Sequence, residues 1–218
     1  MKRTDASSPE AITAYLWATP NSRRAAIMLE ELALPYTVVP VNIRAGAQHR
    51  PEIRALNPFG KLPILTWREG GELRVLFESG AILLTLAERS GQLLAADGVA
   101  RATTLSWLMV ALTGLAPASG QAHHWTALAA ERVPTAIAHA QAAVQRVYAL
   151  LDARLEHQSW LAGDYSIADI AAFPWVERHC WTGLPIADYP HLHAWLLRVG
   201  ARPAVQRGMA QPLGVTLD

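Results

Sequence analysis

Cysteine is nearly absent from the sequence, since Cys180 is the only one among 218 residues. One cysteine excludes a disulfide framework, a cysteine-rich zinc site and a Cys-X-X-Cys redox pair within the chain. An excess of one charge is lacking as well, because 19 Lys and Arg residues are balanced by 18 Asp and Glu residues, for a formal net charge of +1. That balance argues against a nucleic-acid partner, which usually requires a basic excess on one face.

Long apolar runs are also lacking, although 51% of the residues are hydrophobic. The longest apolar region, residues 105–118, contains a Ser, a Thr, a Gly and a Pro. It is shorter than the roughly 20 residues that a membrane-spanning helix needs. Residues 1–11 carry positive charge with no apolar stretch behind them, which is unlike a secretory signal. We therefore expect a soluble, cytoplasmic protein that has no membrane partner.

The first half of the chain alternates between strand and helix patterns. The apolar residues 11–17 predict a buried strand, and Asn21, a favoured N-cap residue, predicts a helix through residue 34. β-branched residues predict a second strand over residues 36–43. This strand is expected at a sheet edge, because Pro40 cannot donate a hydrogen bond to a neighbouring strand.

Two more strands and a helix complete this pattern. Residues 62–67 and 73–77 predict a hairpin around a Gly-containing turn, and Ser79 predicts the N-cap of a helix over residues 80–88. The β-α-β order implies a parallel strand pair, to which the hairpin adds antiparallel strands. We therefore predict an α/β domain with a thioredoxin-like layout over residues 11–90, in which helices cover both faces of a small mixed sheet.

Strand patterns stop after a small-residue linker at residues 90–98. Apolar spacing predicts helices over residues 99–115 and 127–155, and Pro134 should start, kink or break the second of these. A capping box at Ser166–Asp169 predicts the start of a later helix with a folding role. Two short helices are predicted near the C-terminus, over residues 191–199 and after Pro203. The sequence thus predicts an all-α domain over residues 98–210.

Five local strings give this organisation a family resemblance. They are Thr19-Pro20-Asn21, Asn57-Pro58-Phe59-Gly60-Lys61-Leu62-Pro63, Phe77-Glu78-Ser79-Gly80-Ala81-Ile82-Leu83, Gly120-Gln121-Ala122-His123-His124-Trp125 and Tyr165-Ser166-Ile167-Ala168-Asp169-Ile170-Ala171. Together they resemble the cytosolic-type glutathione transferases, and most closely the nu-class group of glutathione-dependent disulfide-bond oxidoreductases. The resemblance covers nearly the whole chain. It implies a homodimeric enzyme that uses glutathione as its co-substrate and needs no metal.

Glutathione has two carboxylates, an amine and a thiol, and the motifs offer a group for each. Ser79 and the free N–H groups of its helix suit the γ-glutamyl carboxylate, while the Glu78 carboxylate suits the amine. Lys61 suits the glycine carboxylate as a point charge. The resemblance adds Gln48 as a second contact there. It also implies that a cis-proline at Pro63 turns the Leu62 backbone toward the ligand. The alternative for each residue is an ordinary cap, strand or loop role.

Thr19 and Asn21 flank a proline at the start of the first helix, where a hydroxyl, an amide and the helix dipole suit a thiolate. We predict that they are the catalytic pair, although Asn21 also suits a simple capping role. Ser22 occupies a position where the nu-class pattern has Gly, and it is a minor rival for holding the thiolate. The lone Cys180 is interpreted as a small buried core residue. Thioredoxins and glutaredoxins carry a Cys where this first helix begins, and this chain has none there, so the reacting thiol is expected to belong to glutathione.

The His123-His124 pair does not predict a metal site. Adjacent helical residues point about 100° apart, and no acidic or cysteine partner lies at ligand spacing. By resemblance, this segment faces the substrate side of the cleft. His139 stands where the family has an Arg that contacts a second glutathione. Arg23 and Arg24 are interpreted as a solvated helix face or as domain-interface pairing.

The favoured function is glutathione-dependent reduction of a small disulfide by the bound thiolate. The first alternative is conjugation of glutathione to carbon electrophiles by the same thiolate. A second alternative, from another class, is a non-catalytic glutathione-binding or regulatory protein, because a fold does not determine a function.

Overall fold

A computed structural model describes residues 11–215, so the N-terminal segment that argues against a secretory signal lies mostly outside the described residues. The N-terminal domain contains, in chain order, β1 (Ile12–Leu16), α1 (Pro20–Glu31), β2 (Tyr36–Pro40), α2 (Pro51–Leu56), β3 (Ile64–Glu69), β4 (Glu72–Phe77) and α3 (Ser79–Ser90). The helical domain contains α4 (Gly98–Met109), α5 (Ala116–His123), α6 (Pro134–Glu156), α7 (Ile167–Glu177), α8 (Pro190–Gly200) and α9 (Pro203–Met209).

The four strands form one mixed sheet in the order β2-β1-β3-β4. β1 pairs with β2 in parallel and with β3 antiparallel, and β3 and β4 form the hairpin. The predicted thioredoxin-like layout is therefore confirmed, and β2 lies at an edge with Pro40 opposite Leu16. Alternate side chains of the sheet point to opposite faces. Leu16 and Leu65 face the main core, while Ile64 packs on Ile53 of α2.

Both helix starts that shape the candidate site differ from the sequence prediction. The N-cap of α1 is Thr19, not Asn21, because the Thr19 hydroxyl oxygen accepts a hydrogen bond from the Ser22 N–H at 3.3 Å. Pro20 occupies the first helical position, where its missing N–H costs nothing. The N-cap of α3 is Glu78, and Ser79 is already helical. Neither Asn21 nor Ser79 is thus used as a cap, so both side chains are available for other contacts.

The long helical stretch of the second domain extends further than predicted. α4 continues through a π-helical turn at Val110–Leu115 into α5, and a second π-helical turn ends at Leu128. In the first of these turns the Ala111 carbonyl accepts from the Ala116 N–H, five residues ahead. π-helical turns inside helices often occur at functional sites. The next helix, α6, begins at Pro134, which confirms the alternative that this proline starts the helix and corrects the predicted start at residue 127.

By length and composition alone, the stretch Gly98–Leu128 could cross a membrane. Its longest apolar region, residues 105–118, is too short for a membrane span by itself. A core helix of a globular domain meets the same two criteria. In this protein 28% of the most apolar part of the stretch is buried, and Leu108 and Leu115 are fully buried in the main core.

The two domains share one core, and α1 lies between them. α1 packs closely on α9 because Gly208 has no side chain; a Cβ there would lie 2.6 Å from the Ile27 backbone. An ion pair closes the same interface, in which Arg202 donates two hydrogen bonds to Glu31, at 2.7 and 2.8 Å. The helix that carries Thr19 and Asn21 at its N-terminus is therefore held from both domains.

The capping box predicted at the start of α7 is confirmed. The Ser166 hydroxyl accepts from the backbone ahead of it, and Asp169 accepts from the Ser166 N–H at 3.0 Å. Asp169 is fully buried and also accepts from the Leu161 N–H and the Trp195 indole. Burial raises the pKa of this carboxyl, while its four hydrogen bonds oppose the rise. These contacts are internal to the helical domain, in keeping with a folding role.

Candidate functional site

A cleft of about 610 Å³ lies where the N-terminus of α1, the loop before β3 and the helical domain meet. Its lining includes six of the predicted site residues: Thr19, Asn21, Gln48, Lys61, Leu62 and His123. A smaller pocket of about 230 Å³ continues from it and is lined by Asn21, Lys61, Leu62, Pro63, Glu78 and Ser79. The structure thus brings together nine predicted residues from distant parts of the sequence, with Asn21 at the junction of the two pockets.

The orientation of the Asn21 amide is determined by its two hydrogen-bond partners. Its Oδ1 accepts from Arg24 Nη1 at 2.8 Å and from the Trp175 indole Nε1 at 3.0 Å. Both partners are donor-only groups, so the atom that they contact must be the oxygen. The Nδ2 amide donors of Asn21 have no protein acceptor within residues 11–215. They are available to a ligand atom in the cleft.

The Thr19 hydroxyl is available in a similar way. Its oxygen caps α1 by accepting from Ser22, which leaves its own O–H proton to donate. Ser22 itself is buried, and its hydroxyl oxygen accepts from the Trp17 N–H at 3.3 Å, beside the end of β1. It lines neither of the two pockets. The geometry therefore favours Thr19 and Asn21 over Ser22 as the donors to a ligand atom at the start of α1.

The loop before β3 is shaped by Asn57, a buried residue to which the sequence analysis assigned no role. Its amide donates to the Lys61 carbonyl at 2.9 Å and accepts from the Phe59 N–H at 3.1 Å. Gly60 has a φ of 66° in this tight turn, a value that favours glycine. The loop leads into a cis peptide bond between Leu62 and Pro63, as the resemblance implies. The Asn-Pro-X-Gly-Lys string was the available signal for Asn57.

Backbone geometry also distinguishes the start of α3. Glu78 has a φ of 68°, in the left-handed region that residues other than glycine adopt only uncommonly. Strained backbone of this kind is typically found at functional sites. Glu78 is exposed, whereas Ser79 is 5% exposed, and both line the smaller pocket. A carboxylate and a hydroxyl at the N-terminus of a 12-residue helix suit an amine and a carboxylate of one ligand.

The three candidate histidines lie in different places. His123 lines the cleft and stacks on Trp181, with ring centroids 4.1 Å apart and ring planes 9° apart. Burial, with a smaller contribution from His124, lowers the pKa of His123, which favours the neutral form of its ring. His124 is exposed and contacts Trp125 edge-on. His139 is also exposed and lines a separate pocket of about 640 Å³ between α5 and α6.

The arginine pair is buried, so the interpretation as a solvated face is wrong and the alternative of interface pairing is correct. Arg23 is 7% exposed and lies 4.0 Å from Glu177 of α7. Arg24 is 2% exposed and contacts Asn21, Ser79 and two backbone carbonyls of the helical domain. Burial lowers the pKa of Arg24 to about 9, so its guanidinium still carries its charge at neutral pH. Sequence reasoning missed this contact between Arg24 and the site.

Cys180 is exposed, so the prediction of a buried core thiol is wrong. The chain leaves α7 at Glu177, and Cys180 lies in the short 3₁₀ turn His179–Thr182 instead of on an apolar helix face. It lines neither of the two pockets, although its neighbour Trp181 lines the larger one.

As to metals, residues 11–215 contain no cluster of three or more His, Cys, Asp or Glu side chains that could hold an ion.

The fold and this pair of pockets define the glutathione transferase class. Residues 18–89 match the family Glutathione S-transferase, N-terminal domain, and residues 109–203 match Glutathione S-transferase, C-terminal domain. The chain therefore belongs to the glutathione S-transferase family.

Individual relatives narrow the class. The chain is 41% identical over 202 residues to the disulfide-bond oxidoreductase YfcG of Escherichia coli, an alignment that covers 91% of this chain and 94% of YfcG. The resemblance to the disulfide-bond oxidoreductase group is thus confirmed, as is the prediction of an enzyme.

Two solved structures show what relatives bind. A Burkholderia graminis glutathione transferase, solved with two glutathione molecules bound per subunit, is 36% identical, with a TM-score of 0.88 and coverage of 96% of this chain and 92% of that one. A Pseudomonas putida glutathione transferase, solved with one glutathione disulfide per subunit, is 35% identical, with a TM-score of 0.87 and coverage of 95% and 94%.

Proposed function

We propose that this enzyme binds glutathione in the two adjoining pockets and uses its thiolate to reduce small disulfides. The observation that carries the proposal is the pair of unused donors, Thr19 O–H and Asn21 Nδ2, at the N-terminus of α1 and at the junction of the pockets. Relatives whose names or bound ligands point to disulfides and glutathione support the choice of reaction.

The proposed binding mode spans the smaller pocket. Glu78, Ser79 and the free N–H groups of α3 hold the γ-glutamyl end. The backbone of Leu62, which makes no hydrogen bond within residues 11–215, pairs with the cysteinyl unit. Lys61 and Gln48 hold the glycine carboxylate at the other end. The sulfur then lies beside Thr19 and Asn21.

Activation of the thiol follows from those donors. A free thiol has a pKa of about 8.5, which falls when donors and a helix N-terminus stabilise the thiolate. Thr19, Asn21 and the dipole of α1 all favour the ionised form. At neutral pH the thiolate fraction of bound glutathione is therefore larger than that of free glutathione, and the thiolate is the form that attacks.

The reaction consumes two glutathiones. The bound thiolate attacks one sulfur of the substrate disulfide, a mixed disulfide forms, and the other substrate sulfur leaves as a thiolate that takes a proton. A second glutathione thiolate attacks the glutathione sulfur of the mixed disulfide and releases the second substrate thiol. The products are glutathione disulfide and two thiols, so two electrons pass from glutathione to the substrate and no protein sulfur is needed.

Conjugation is the second candidate, because the same thiolate can attack a carbon electrophile. The aromatic wall formed by His123, Trp175 and Trp181 favours it, since flat apolar electrophiles stack well on such surfaces. The two reactions differ in the acceptor atom, which is sulfur in one and carbon in the other.

Parallel assays test the proposal. The purified protein should reduce 2-hydroxyethyl disulfide with glutathione much faster than it conjugates a chlorinated dinitrobenzene, and calorimetry should detect glutathione binding. The opposite ratio of rates would establish conjugation as the main reaction. Absence of glutathione binding would contradict both reactions and favour a regulatory protein.

We further propose that the enzyme is a homodimer. β4 is an edge strand that exposes three apolar side chains, with Leu73 at 55% and Val75 and Phe77 at 38% exposure. Exposed apolar patches of this kind mark interaction surfaces. Sedimentation equilibrium should give twice the chain mass of 23.7 kDa; a monomer at micromolar concentration would contradict the proposal.

A further inference from the structure

Arg24 is the most fully buried cation near the cleft, and its guanidinium joins four elements. Nε donates to the Ala171 carbonyl of α7 at 2.7 Å, and Nη2 donates to the Ala111 carbonyl of the π-helical turn at 3.3 Å. Nη1 donates both to Asn21 Oδ1 at 2.8 Å and to Ser79 Oγ at 3.2 Å. One side chain of α1 is thus anchored to the helical domain on one side and contacts two proposed ligand-binding residues on the other.

The contact with Asn21 decides which end of the amide faces the cleft. An amide can turn over and exchange its oxygen and nitrogen at little cost unless its partners prevent it. Arg24 accepts no hydrogen bond, so only Oδ1 can lie against it, and Trp175 imposes the same choice. The Nδ2 donors are consequently held on the side away from Arg24.

The contact with Ser79 decides the direction of its hydroxyl proton. Because the Ser79 oxygen accepts from Arg24 Nη1, its own O–H is directed to another acceptor. No protein acceptor for that proton exists within residues 11–215. A carboxylate in the smaller pocket, which Ser79 lines, is the kind of group that would receive it.

We propose that Arg24 is a positioning residue that turns the donors of Asn21 and Ser79 toward glutathione and so links the thiol end of the site to its γ-glutamyl end. This inference rests on the proposed function. A guanidinium suits the task because it presents five donors in a rigid fork, whereas a lysine ammonium is a single point with three. Here the fork meets four acceptors in four different elements.

The test measures the pKa of the bound thiol by the ultraviolet absorbance of the thiolate across pH, which requires binding but no turnover. Arg24→Met should raise that pKa, so that the thiolate fraction at neutral pH falls about tenfold, as loss of one well-placed donor implies. It should also weaken glutathione binding several-fold through Ser79. Arg24→Lys should show a partial effect, since it keeps the charge but not the fork.

Arg202→Met is the matched control. Arg202 also joins α1 to the helical domain, through Glu31, but it contacts no residue of the two pockets. It should lower thermal stability and leave the thiol pKa unchanged. The same stability loss with an unchanged thiol pKa in Arg24→Met would overturn the inference.

A double-mutant comparison separates positioning from a direct effect of charge. If Arg24 acts through Asn21, the double variant Arg24→Met/Asn21→Ala should have nearly the same thiol pKa as Asn21→Ala alone. Full additivity of the two pKa changes would contradict the proposal.

Should Arg24→Met not fold, Trp175→Phe removes the other donor to Asn21 Oδ1 and should raise the thiol pKa by a smaller amount. No change in that variant would count against amide positioning. A wild-type protein that fails to bind glutathione would overturn the proposed function itself, an outcome distinct from these.

Discussion

The two walls of the cleft are built in different ways. The N-terminal wall is mostly polar side chains and backbone groups at the ends of elements, namely the start of α1, the loop before β3 and the start of α3, although the Phe59 ring also lines it. The helical wall consists of ring side chains, among which His123, Trp175 and Trp181 come from α5, α7 and the turn after α7. The first wall offers hydrogen-bond donors, and the second offers flat apolar surface.

This difference indicates that the two walls bind different substrates. Hydrogen-bond donors at fixed positions suit one invariant ligand, because each must meet a particular atom. Apolar ring surfaces suit a variable ligand, because stacking tolerates many shapes. We therefore expect changes in the N-terminal wall to affect glutathione and its thiol. Changes in the helical wall should affect mainly the second substrate, except at Trp175, whose indole donates to Asn21.

The largest effect is expected at Asn21. Asn21→Ala removes a donor to the thiolate and should reduce turnover at neutral pH about ten- to a hundredfold, as loss of a charge-assisted hydrogen bond implies. Asn21→Asp should reduce turnover further, because it keeps the contacts with Arg24 and Trp175 but presents a carboxylate to the sulfur. Activity should recover partly at higher pH, where the thiol ionises without help. Turnover within twofold of wild type in both variants would remove Asn21 from the mechanism.

The next effect concerns binding at Ser79. Ser79→Ala should raise the KM for glutathione about tenfold and change kcat little, since the lost contact acts on the ground state and transition state alike. Ser90→Ala, at the other end of α3, removes a hydroxyl that bonds only within its own turn and is the matched control. Steady-state kinetics with varied glutathione concentration give the KM and kcat of both variants for comparison with wild type. An equal rise of KM in both variants would attribute the effect to the helix and not to the pocket.

A smaller effect is expected from the helical wall. His123→Ala removes one ring from the stack with Trp181 and should raise the KM for an aromatic disulfide about three- to fivefold, which lies within the roughly 0.5–1.5 kcal/mol of a lost ring contact. The KM for glutathione should not change. His124→Ala is the adjacent control, because His124 is exposed and lines neither pocket. If the glutathione KM rises instead, the two walls do not divide the substrates between them.

The same contrast explains what could be predicted from the sequence. The residues of the N-terminal wall could be grouped from the sequence because they lie in short strings whose local geometry is set by neighbours, such as Asn57 with Phe59 and Lys61. Interface pairing of Arg24 was one of two open alternatives, and the sequence could not decide between them because its acceptors, the Ala171 and Ala111 carbonyls, are 147 and 87 residues away. Every residue has a backbone carbonyl, so the residue type does not indicate which carbonyl accepts a distant hydrogen bond.

Cys180 was misread for a related reason. Its apolar and aromatic neighbours indicated a core helix, but α7 ends at Glu177 and the following turn carries the thiol to the surface. Neighbours in sequence predict burial only while the periodicity of the element continues. Because Cys180 is exposed, its thiol is accessible to reagents, and whether it takes part in the reaction must be tested directly.

The smallest effect is therefore expected at Cys180, and it separates a glutathione-centred mechanism from a protein-thiol mechanism. A protein thiol that attacks a substrate must reach the cleft, whereas Cys180 lies in the turn after α7 and lines neither pocket. Cys180→Ser changes one exposed atom, so stability should be unchanged as well. Disulfide reductase activity within twofold of wild type is expected. Loss of activity in a folded variant would mean that the nucleophilic sulfur belongs to the protein, and the proposed roles of Thr19 and Asn21 would then have no thiolate to act on.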